Sequence, residues 1–259
     1  MVDDGRVEPI PGEPAAVADL GGERALVIAD YHAGIEAGLR AERGIEVPSR
    51  AGERRDRLLS LVSRTYPDRL VVLGDLMHSI GGPGGAERGE LEVLFESLPA
   101  ALDVLLVKGN HDGEIEGWLE GVDVRPGEGF RLGGVGVCHG HTWPAPAALS
   151  GEVLCLGHEH PCVRLEDSVG GSRVERVWLR GRLEPAGFEE RAGYEAVGWL
   201  GGDEEPPEMV VFPAFNDLAG GTWTNLPDQS FLSPFLPNGL AGGEAYLLDG
   251  TRLGDYRSV

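Results

Sequence analysis

The sequence predicts a mixed α/β fold. In the first half of the 259 residues, short apolar runs typical of strands alternate with amphipathic helical patterns. In the second half, strand patterns follow one another with few helices between them, a combination that favours a mixed sheet system. The chain contains no linker and no internal repeat. We therefore expect one domain over residues 1–259, with a polar excursion at about 185–207.

The individual elements follow from local patterns. Two apolar runs around Gly21-Gly22 predict a hairpin, a second hairpin is split at Gly133-Gly134, and Pro48 marks a helix start. The expected strands are 15–20, 25–29, 70–73, 102–107, 130–132, 135–138, 153–156, 174–179 and 209–212. The expected helices are 36–44, 49–65, 86–98 and a short one at 115–119, and the polar excursion is expected to be a surface helix with loops.

The charge balance is unusually acidic. The chain has 43 Asp and Glu against 22 Lys and Arg, a net charge of −21, and Lys108 is its single lysine. Such a surface repels itself in dilute buffer, whereas in molar salt the Debye length falls to about 3 Å. The composition favours the salt-loaded cytoplasm of an extreme halophile, and the simpler alternative is an ordinary acidic protein. Acidity does not exclude a nucleic-acid substrate, but no basic patch indicates one.

Several classes of protein are disfavoured by what the sequence contains. No apolar run approaches the roughly 20 residues of a bilayer span. The acidic, Pro-rich start does not have the layout of a secretory signal, so we expect a cytoplasmic protein with no membrane partner. The three cysteines at 138, 155 and 162 match neither a zinc pattern nor a complete disulfide framework, so buried free thiols are expected.

All seven histidines lie at or just beyond the end of a predicted strand. Each also has a Gly, Asp, Asn or another His within three residues, and the histidines occupy positions 32, 78, 111, 139, 141, 158 and 160. Loops at strand ends are where α/β folds place functional groups. In Asp30-Tyr31-His32 and His158-Glu159-His160, the strand period of two directs both outer side chains to one side. These side chains can converge on one ion, and a mixed Asp and His donor set suits Mn, Fe, Zn or Ni better than Mg or Ca.

Each motif alone has an ordinary structural explanation. Gly74-Asp75 is common turn chemistry, and Asp30-Tyr31-His32 by itself fits a solvated turn. The presence of five such motifs, each after an apolar strand, is what favours a metal site over separate turns.

The order of the motifs resembles the calcineurin-like metallophosphoesterase superfamily. The series is D-x-H at 30–32, G-D at 74–75, G-N-H-D at 109–112, H-G at 139–140 and G-H-x-H at 157–160. Further detail is similar to the ICC-like phosphoesterases, some bacterial members of which are called DNA-ligase-associated phosphoesterases. This detail comprises Asp30-Tyr31-His32-Ala33-Gly34, the helix pattern at 36–44, Gly74-Asp75-Leu76-Met77-His78-Ser79 and Phe212-Pro213-Ala214-Phe215. The resemblance covers nearly the whole chain and implies a four-layer αββα sandwich, two stacked mixed β-sheets flanked by helices.

The resemblance also implies a site with two divalent transition-metal ions, Mn foremost and Fe, Zn or Ni as alternatives. One ion is assigned to Asp30, His32 and His160, the other to Asn110, His139 and His158, with Asp75 bridging both. Such ions can share a hydroxide that attacks phosphorus. We expect His111 to act as the general acid and Asp112 to orient its ring. His141 and His78 are expected beside these residues, in contact with either the phosphate or the ligand side chains.

The predicted function is hydrolysis of a phosphodiester, with a small phosphodiester, a nucleotide or a nucleic-acid end as substrate. A Ser/Thr protein phosphatase is disfavoured, because that class has Asp-Arg-Gly after the second motif and Glu after Asn-His. This chain has Met77-His78-Ser79 and Asp112 at those places. The alternative function is a non-catalytic, metal-stabilised scaffold that recruits DNA-repair partners.

Overall fold

The computed structural model describes residues 6–167, 169–188, 191–202, 204–226 and 229–259. The strands are β1 Val7–Pro9, β2 Ala15–Asp19, β3 Arg24–Ile28, β4 Arg69–Val72, β5 Asp103–Val107, β6 Val122–Arg125, β7 Phe130–Leu132, β8 Val135–Cys138, β9 Val153–Leu156, β10 Cys162–Glu166, β11 Ser172–Leu183, β12 Glu208–Val211, β13 Leu240–Leu247 and β14 Arg252–Asp255. The helices are α1 Ile35–Arg43, α2 Ala51–Thr65, α3 Gly85–Ser97 and α4 Pro146–Leu149, and short 3-10 turns lie at Ile115–Gly117, Pro185–Gly187, Gly198–Gly201 and Tyr256–Ser258.

The strands form two mixed sheets. The first sheet has the order β1-β2-β3-β4-β5-β6, and β3 to β6 run parallel to one another. The second has the order β14-β13-β11-β12-β9-β8-β7, with β10 paired to β11. Its central strands β12, β9 and β8 are parallel. Each sheet therefore has a group of parallel strands whose carboxyl ends lie at one edge.

Alternation along the strands divides the apolar residues into three layers. Val27, Val71 and Leu105 point inward and pack against Val137 and Cys155 of the second sheet. On the outer face of the first sheet, side chains such as Leu26, Leu70 and Leu106 pack against Leu58 of α2 and Leu91 of α3. On the outer face of the second sheet, Leu154 and Met209 pack against Leu149 of α4 and Trp199. The period-2 pattern thus produces two stacked sheets with helices outside, as predicted.

A buried ion-pair network joins the three long helices behind the first motif. The Arg54 guanidinium in α2 donates to Glu36 of α1 at 2.8 Å and to Glu90 of α3 at 2.8 Å. Glu90 also accepts from the backbone N–H of Gly34, at 2.9 Å. Because a buried guanidinium needs charged acceptors, this network fixes α1 against the other two helices and so holds the chain that follows His32.

The structure confirms most of the elements predicted from periodicity. Both hairpins, the strands β4, β5, β9, β11 and β12, and the helices α1, α2 and α3 lie within a few residues of their expected bounds. The short helix expected at 115–119 is a 3-10 turn over Ile115–Gly117. The strands β1, β6, β10, β13 and β14 were not predicted, nor was the four-residue α4.

A surface helix was expected in the polar excursion, and the structure has two 3-10 turns there instead. This holds for the described residues of the excursion, which are 185–207 without 189, 190 and 203. Phe188, Tyr194 and Trp199 are buried in the outer core of the second sheet. The Trp199 ring N–H donates to the Leu149 carbonyl at 2.8 Å. This stretch therefore covers the sheet as an outer layer. No helix among the described residues is both long enough and apolar enough to cross a membrane.

Candidate metal centre

The predicted ligand residues meet at the carboxyl ends of five parallel strands, three in the first sheet and two in the second. Asp30 and His32 follow β3, Asp75 follows β4, Asn110 and His111 follow β5, His139 follows β8, and His158 and His160 follow β9. Backbone hydrogen bonds continue the β3–β4 pairing past the strand ends, from His32 N–H to Asp75 O at 2.8 Å and from Ala33 N–H to Leu76 O at 2.9 Å. The first two motifs are therefore held side by side by the sheet itself.

Four of these side chains form a first donor set. One ligand atom from each of Asp30, His32, Asp75 and His160 lies within 4.8 Å of the others. His32 Nε2 is 3.4 Å from His160 Nε2, and His160 Nε2 is 3.3 Å from Asp30 Oδ1. All four residues are buried or half-buried. The two imidazoles and two carboxylates thus surround a space of the size that one cation occupies.

A second donor set shares Asp75 with the first. One ligand atom from each of Asp75, His139 and His158 lies within 4.8 Å of the others. His139 Nε2 is 3.2 Å from Asn110 Oδ1, which brings the amide into the same set. Asp75 Oδ1 is 3.5 Å from His139 Nε2, whereas Asp75 Oδ2 is 3.8 Å from His32 Nε2. Each oxygen of this carboxylate therefore faces a different donor set.

Two of the histidines are held in the tautomer that a metal ligand needs. The ring Nδ1–H of His139 donates to the Leu73 carbonyl at 2.7 Å, and that of His160 donates to the Gly220 carbonyl at 2.6 Å. A carbonyl oxygen can only accept, so the proton lies on Nδ1. In the neutral ring, Nε2 then carries the lone pair toward the donor sets.

Burial and mutual charge perturb the site strongly. Burial lowers the pKa of His139 to about 3 and that of His158 to about 4, which keeps both rings in the neutral form that binds metals. Burial alone would raise the pKa of Asp30, but the charge of His160 holds it at about 2. Burial opposes protonation of His160 too, yet the Asp30 charge raises its pKa to about 9.

The negative charge of Asp75 is poorly balanced by its surroundings. Burial, followed by the charges of Asp30 and Asp112, raises the pKa of Asp75 well above its usual range. A divalent cation between Asp30 and Asp75 would stabilise both carboxylates. The residues present therefore fit a pair of divalent cations bound by N and O donors.

The backbone at the centre is unusual. Six non-glycine residues among those described have φ in the left-handed region, and five of them are predicted ligands: Asp30, His32, Asp75, His158 and His160, with φ between 44° and 68°. Asp and His tolerate this region better than most residues, but each still costs on the order of 1 kcal/mol or more. This backbone strain is therefore concentrated at the residues whose side chains converge on the centre.

Glycines allow the motif loops to approach one another closely. A Cβ built on Gly109 would lie 2.8 Å from Asp75 Cγ, and one built on Gly157 would lie 2.8 Å from Asp30 Oδ2. Real Cβ atoms do not come this close, so a side chain at either position would displace a predicted ligand.

The Gly109→Ala protein is expected to lose about 1–3 kcal/mol of unfolding free energy through overpacking. It is also expected to lose metal, because the carboxylate of Asp75 must move. Urea denaturation and metal content by mass spectrometry measure the two effects. Gly89→Ala is the matched control, because Gly89 lies in α3 with nothing within 4 Å of a built Cβ. That change should stabilise the helix by roughly 0.5–1 kcal/mol. Equal unfolding free energies and equal metal contents in Gly109→Ala and Gly89→Ala would contradict the packing argument.

His111 lies beside the shared carboxylate. Its backbone N–H donates to Asp75 Oδ1 at 2.9 Å, and its ring Nε2 is 3.9 Å from Asp75 Oδ2. Its Nδ1–H donates to the His78 carbonyl. The half-exposed ring therefore presents Nε2 to the donor sets and to the solvent-facing side of the centre.

We expected Asp112 to orient the His111 ring, and the structure assigns that contact to the His78 carbonyl instead. Asp112 is fully buried, and its two oxygens accept from Met77 N–H at 3.1 Å and Gly109 N–H at 2.8 Å. Its carboxylate is occupied by the backbone of the second and third motifs. Asp112 therefore ties these two loops together, and its carboxylate is held by their backbone rather than by the His111 ring.

The two remaining histidines flank the centre on opposite sides. The His78 ring stacks on His111 with centroids 5.8 Å apart and packs edge-on against His32 at 5.4 Å. The His141 ring lies 5.2 Å from that of His139 and 6.1 Å from that of His158. The structure thus brings all seven histidines of the chain together. His78 also forms a third group of close ligand atoms with His32 and His111.

Sequence reasoning missed Asn216. Its amide donates to the carbonyls of Tyr31 at 2.9 Å and His32 at 3.1 Å, and so supports the first motif from a distant part of the chain. The available signal is its place directly after Phe212-Pro213-Ala214-Phe215, a segment that contributes to the family resemblance but contains no metal-ligating residue type.

Glu159 faces away from the two histidines that flank it, as expected for the middle residue of a strand-like run. It is fully buried and accepts from the Thr222 hydroxyl at 2.9 Å, Leu232 N–H at 3.1 Å and Ser233 N–H at 2.6 Å. One carboxylate thus anchors two distant parts of the connection between β12 and β13 to the fifth motif.

The Glu159→Ala protein is expected to lose at least about 2 kcal/mol of unfolding free energy, because buried donors without partners cost about 1–3 kcal/mol each. At roughly 2–4 °C per kcal/mol, its Tm should fall by about 4–8 °C. Calorimetry measures this shift. Glu92→Ala is the control, since Glu92 is exposed on α3 and makes no hydrogen bond or ion pair with the described residues. An unchanged Tm in Glu159→Ala would mean that the connection between β12 and β13 does not depend on this carboxylate.

Comparison with known proteins shows the fold. No protein-family model matches the chain, and no curated protein sequence matches it. Among solved structures, the nuclease MPE of Pseudomonas putida is similar, with a TM-score of 0.57 and 20% identity over 95% of this chain and 100% of that chain. YfcE, a phosphoesterase from E. coli, matches 56% of this chain and 74% of its own, at 20% identity and a TM-score of 0.35. The first similarity shows that the chain shares its fold with that protein.

Proposed function

We propose that the chain is a metal-dependent phosphoesterase that hydrolyses phosphodiesters, with two divalent transition-metal ions held by the donor sets described above. The observation that carries this proposal is the position of Asp75, whose two oxygens face two separate sets of His, Asp and Asn donors. Mn is the preferred ion, with Fe, Zn or Ni as alternatives, because the donors mix imidazole with carboxylate. The fold shared with a nuclease agrees with this reaction class.

When bound by these residues, two such ions would supply an activated water and would stabilise negative charge on the phosphoryl oxygens. The chain itself supplies the proton for the leaving group. Because Nδ1 of His111 donates to the His78 carbonyl, protonation of the ring places the second N–H on Nε2, facing the centre. His111 is therefore the proposed general acid, with its proton carried at Nε2. The backbone bond from His111 N–H to Asp75 keeps this ring beside the reacting phosphate.

A substrate panel tests the proposal. It comprises bis(4-nitrophenyl) phosphate, a 2′,3′-cyclic nucleotide, a nucleoside diphosphate, 4-nitrophenyl phosphate and single-stranded DNA, each with Mn in molar KCl. We expect metal-dependent turnover of diesters, faster than that of the monoester and abolished by a chelator. If the protein binds two metals per chain but turns over none of these substrates with Mn, Fe, Zn or Ni, the proposal fails. The scaffold for DNA-repair partners is then favoured.

We further propose that the protein works at high salt, as its net charge of −21 suggests. Screening of carboxylate repulsion should raise its Tm by roughly 5–10 °C between 0.1 and 2 M KCl, equivalent to about 2–3 kcal/mol. Thermal unfolding followed by circular dichroism at several KCl concentrations measures this change. A Tm that does not respond to KCl would identify an ordinary acidic protein.

A further inference from the structure

A pocket of about 570 Å³ lies on the outer side of the second sheet, beside the metal centre. It is open to solvent, and none of the predicted ligands lines it. Its main lining residues are Trp143, Phe188, Arg191, Pro234, Phe235 and Asn238. Phe188 and Phe235 are almost completely buried, so the pocket offers a ligand the partly exposed Trp143 ring and the exposed, positively charged Arg191 side chain.

Two loops connect this pocket to the metal centre. Trp143 follows His141 by two residues, so their Cα atoms are at most about 7 Å apart. On the other side, Pro234 follows Ser233, whose N–H donates to Glu159 between the ligand residues His158 and His160. The position of the pocket is therefore fixed by the same loops that hold the ligands.

Trp143 and Arg191 form the part of the pocket that can recognise a ligand. The Arg191 guanidinium lies 4.6 Å from the centroid of the Trp143 ring, closer than in the other cation–π contacts among the described residues, which span 5.1–5.8 Å. Phe188 and Phe235 hold the indole at centroid distances of 6.0 Å and 6.1 Å. Nucleobases stack on aromatic rings and on arginine planes, at about 1–3 kcal/mol per base.

The overall charge makes such a contact important. With 43 acidic against 22 basic residues, the chain cannot bind a nucleic acid mainly by electrostatic attraction to its phosphates. Stacking on an aromatic face does not depend on long-range charge and persists in molar salt, where the Debye length is about 3 Å.

From these observations we propose that Trp143 and Arg191 form a platform that binds a nucleobase of the phosphodiester substrate, adjacent to the scissile phosphate. The proposal rests on the proposed function and names its substrate class: single-stranded nucleic acid or a short oligonucleotide, recognised through a base.

Binding to the full-length protein, in chelator and 1 M KCl, tests the platform independently of hydrolysis. The probes are a fluorescein-labelled oligothymidylate and an oligonucleotide of the same length with abasic tetrahydrofuran residues, followed by anisotropy. Trp143→Ala should weaken oligothymidylate binding about tenfold, which is about 1.4 kcal/mol, and Arg191→Ala should weaken it less. Trp143→Phe should restore most of the affinity. Binding of the abasic probe should be weaker in the native protein and should change less than about twofold in the variants.

The matched control is Tyr66→Ala. Tyr66 is an aromatic residue that is 81% exposed, just before β4 at its amino end and so at the far edge of the sheet from the centre. Its loss should leave binding of both probes unchanged.

Equal affinity of the native protein for both probes, absence of binding, or unchanged binding in a folded Trp143→Ala protein would overturn the platform. Turnover of bis(4-nitrophenyl) phosphate with Mn is measured in parallel. Base-dependent binding without turnover refutes the hydrolase alone, whereas turnover without base-dependent binding refutes the platform alone.

Discussion

Asp75→Asn is expected to reduce phosphodiester hydrolysis by at least about 10³-fold and to remove at least one ion per chain. Both proposed metal positions use this carboxylate, one through each oxygen, since Oδ1 faces His139 and Oδ2 faces His32. An amide has no second anionic oxygen with which to join two cations. The lost charge stabilisation is worth several kcal/mol, and 10³-fold in rate corresponds to about 4 kcal/mol.

The same substitution should separate the metal-binding role of Asp75 from a structural one. Without metal, the native protein keeps Asp75 buried next to Asp30 and Asp112, an arrangement that raises its pKa. Removal of this charge should leave the Tm of the metal-free variant equal to or above that of the native protein. Mn at about 10³ times its Kd should stabilise the native protein by about 4 kcal/mol, or roughly 8–16 °C. The same Mn concentration should stabilise the Asp75→Asn variant much less.

Metal content by mass spectrometry, steady-state rates and thermal shifts measure these effects. Asp103→Asn serves as the control, because the Asp103 side chain is 76% exposed at the amino end of β5. A metal-free Asp75→Asn protein that melts well below the native protein would indicate that this carboxylate is mainly structural.

His111→Ala is expected to retain both ions and to lose hydrolysis by about 10²–10⁴-fold. The ring lies outside the two donor sets that share Asp75, and its Nε2 faces the centre. If it protonates the leaving oxygen, the loss should be largest for a nucleoside leaving group, which is a poor one. It should be smaller for 4-nitrophenolate, which departs more easily without a proton.

The ratio of the two losses is therefore the decisive measurement for His111. Metal content must be unchanged, and the exposed Tyr66→Ala variant provides a control for handling and folding. Equal losses with both leaving groups would assign His111 to phosphate binding. Full activity in His111→Ala would remove it from the mechanism.

Periodicity was enough to predict a mixed α/β fold with the histidines at strand ends, whereas the two stacked sheets and the assignment of the ligands were implied by the family resemblance. Apolar runs such as 70–73 and 153–156 are buried on both faces, so their strands were recognisable without any knowledge of their partners. The histidines were informative because each follows such a run. The strands β1 and β6 lie at sheet edges, where exposed positions interrupt the apolar runs. The strand β9 was recognisable although it is no longer than β6, because all its residues are buried.

The contacts that orient the site were not predictable, for two physical reasons. Whether Asp112 or the His78 carbonyl holds the His111 ring depends on loop backbone angles, which residue identity does not determine. Asn216 lies 184 residues beyond His32 in the chain, and only the packed sheets bring the two together. In the 185–207 stretch, apolar residues such as Tyr194 and Trp199 have no helical or strand period, because irregular turns place them in the core.

The two sheets each contribute ligands to the proposed metal centre, and this arrangement couples ion affinity to the docking of one half of the protein on the other. Asp30, Asp75 and Asn110 come from the first sheet, and His139, His158 and His160 from the second. Thermodynamic linkage is reciprocal, so ion binding must stabilise the docked arrangement by the same free energy by which docking improves ion affinity. A truncation in the middle of that interface, such as Val71→Ala, should therefore lower the apparent metal affinity to the extent that it populates undocked forms, without touching a single ligand.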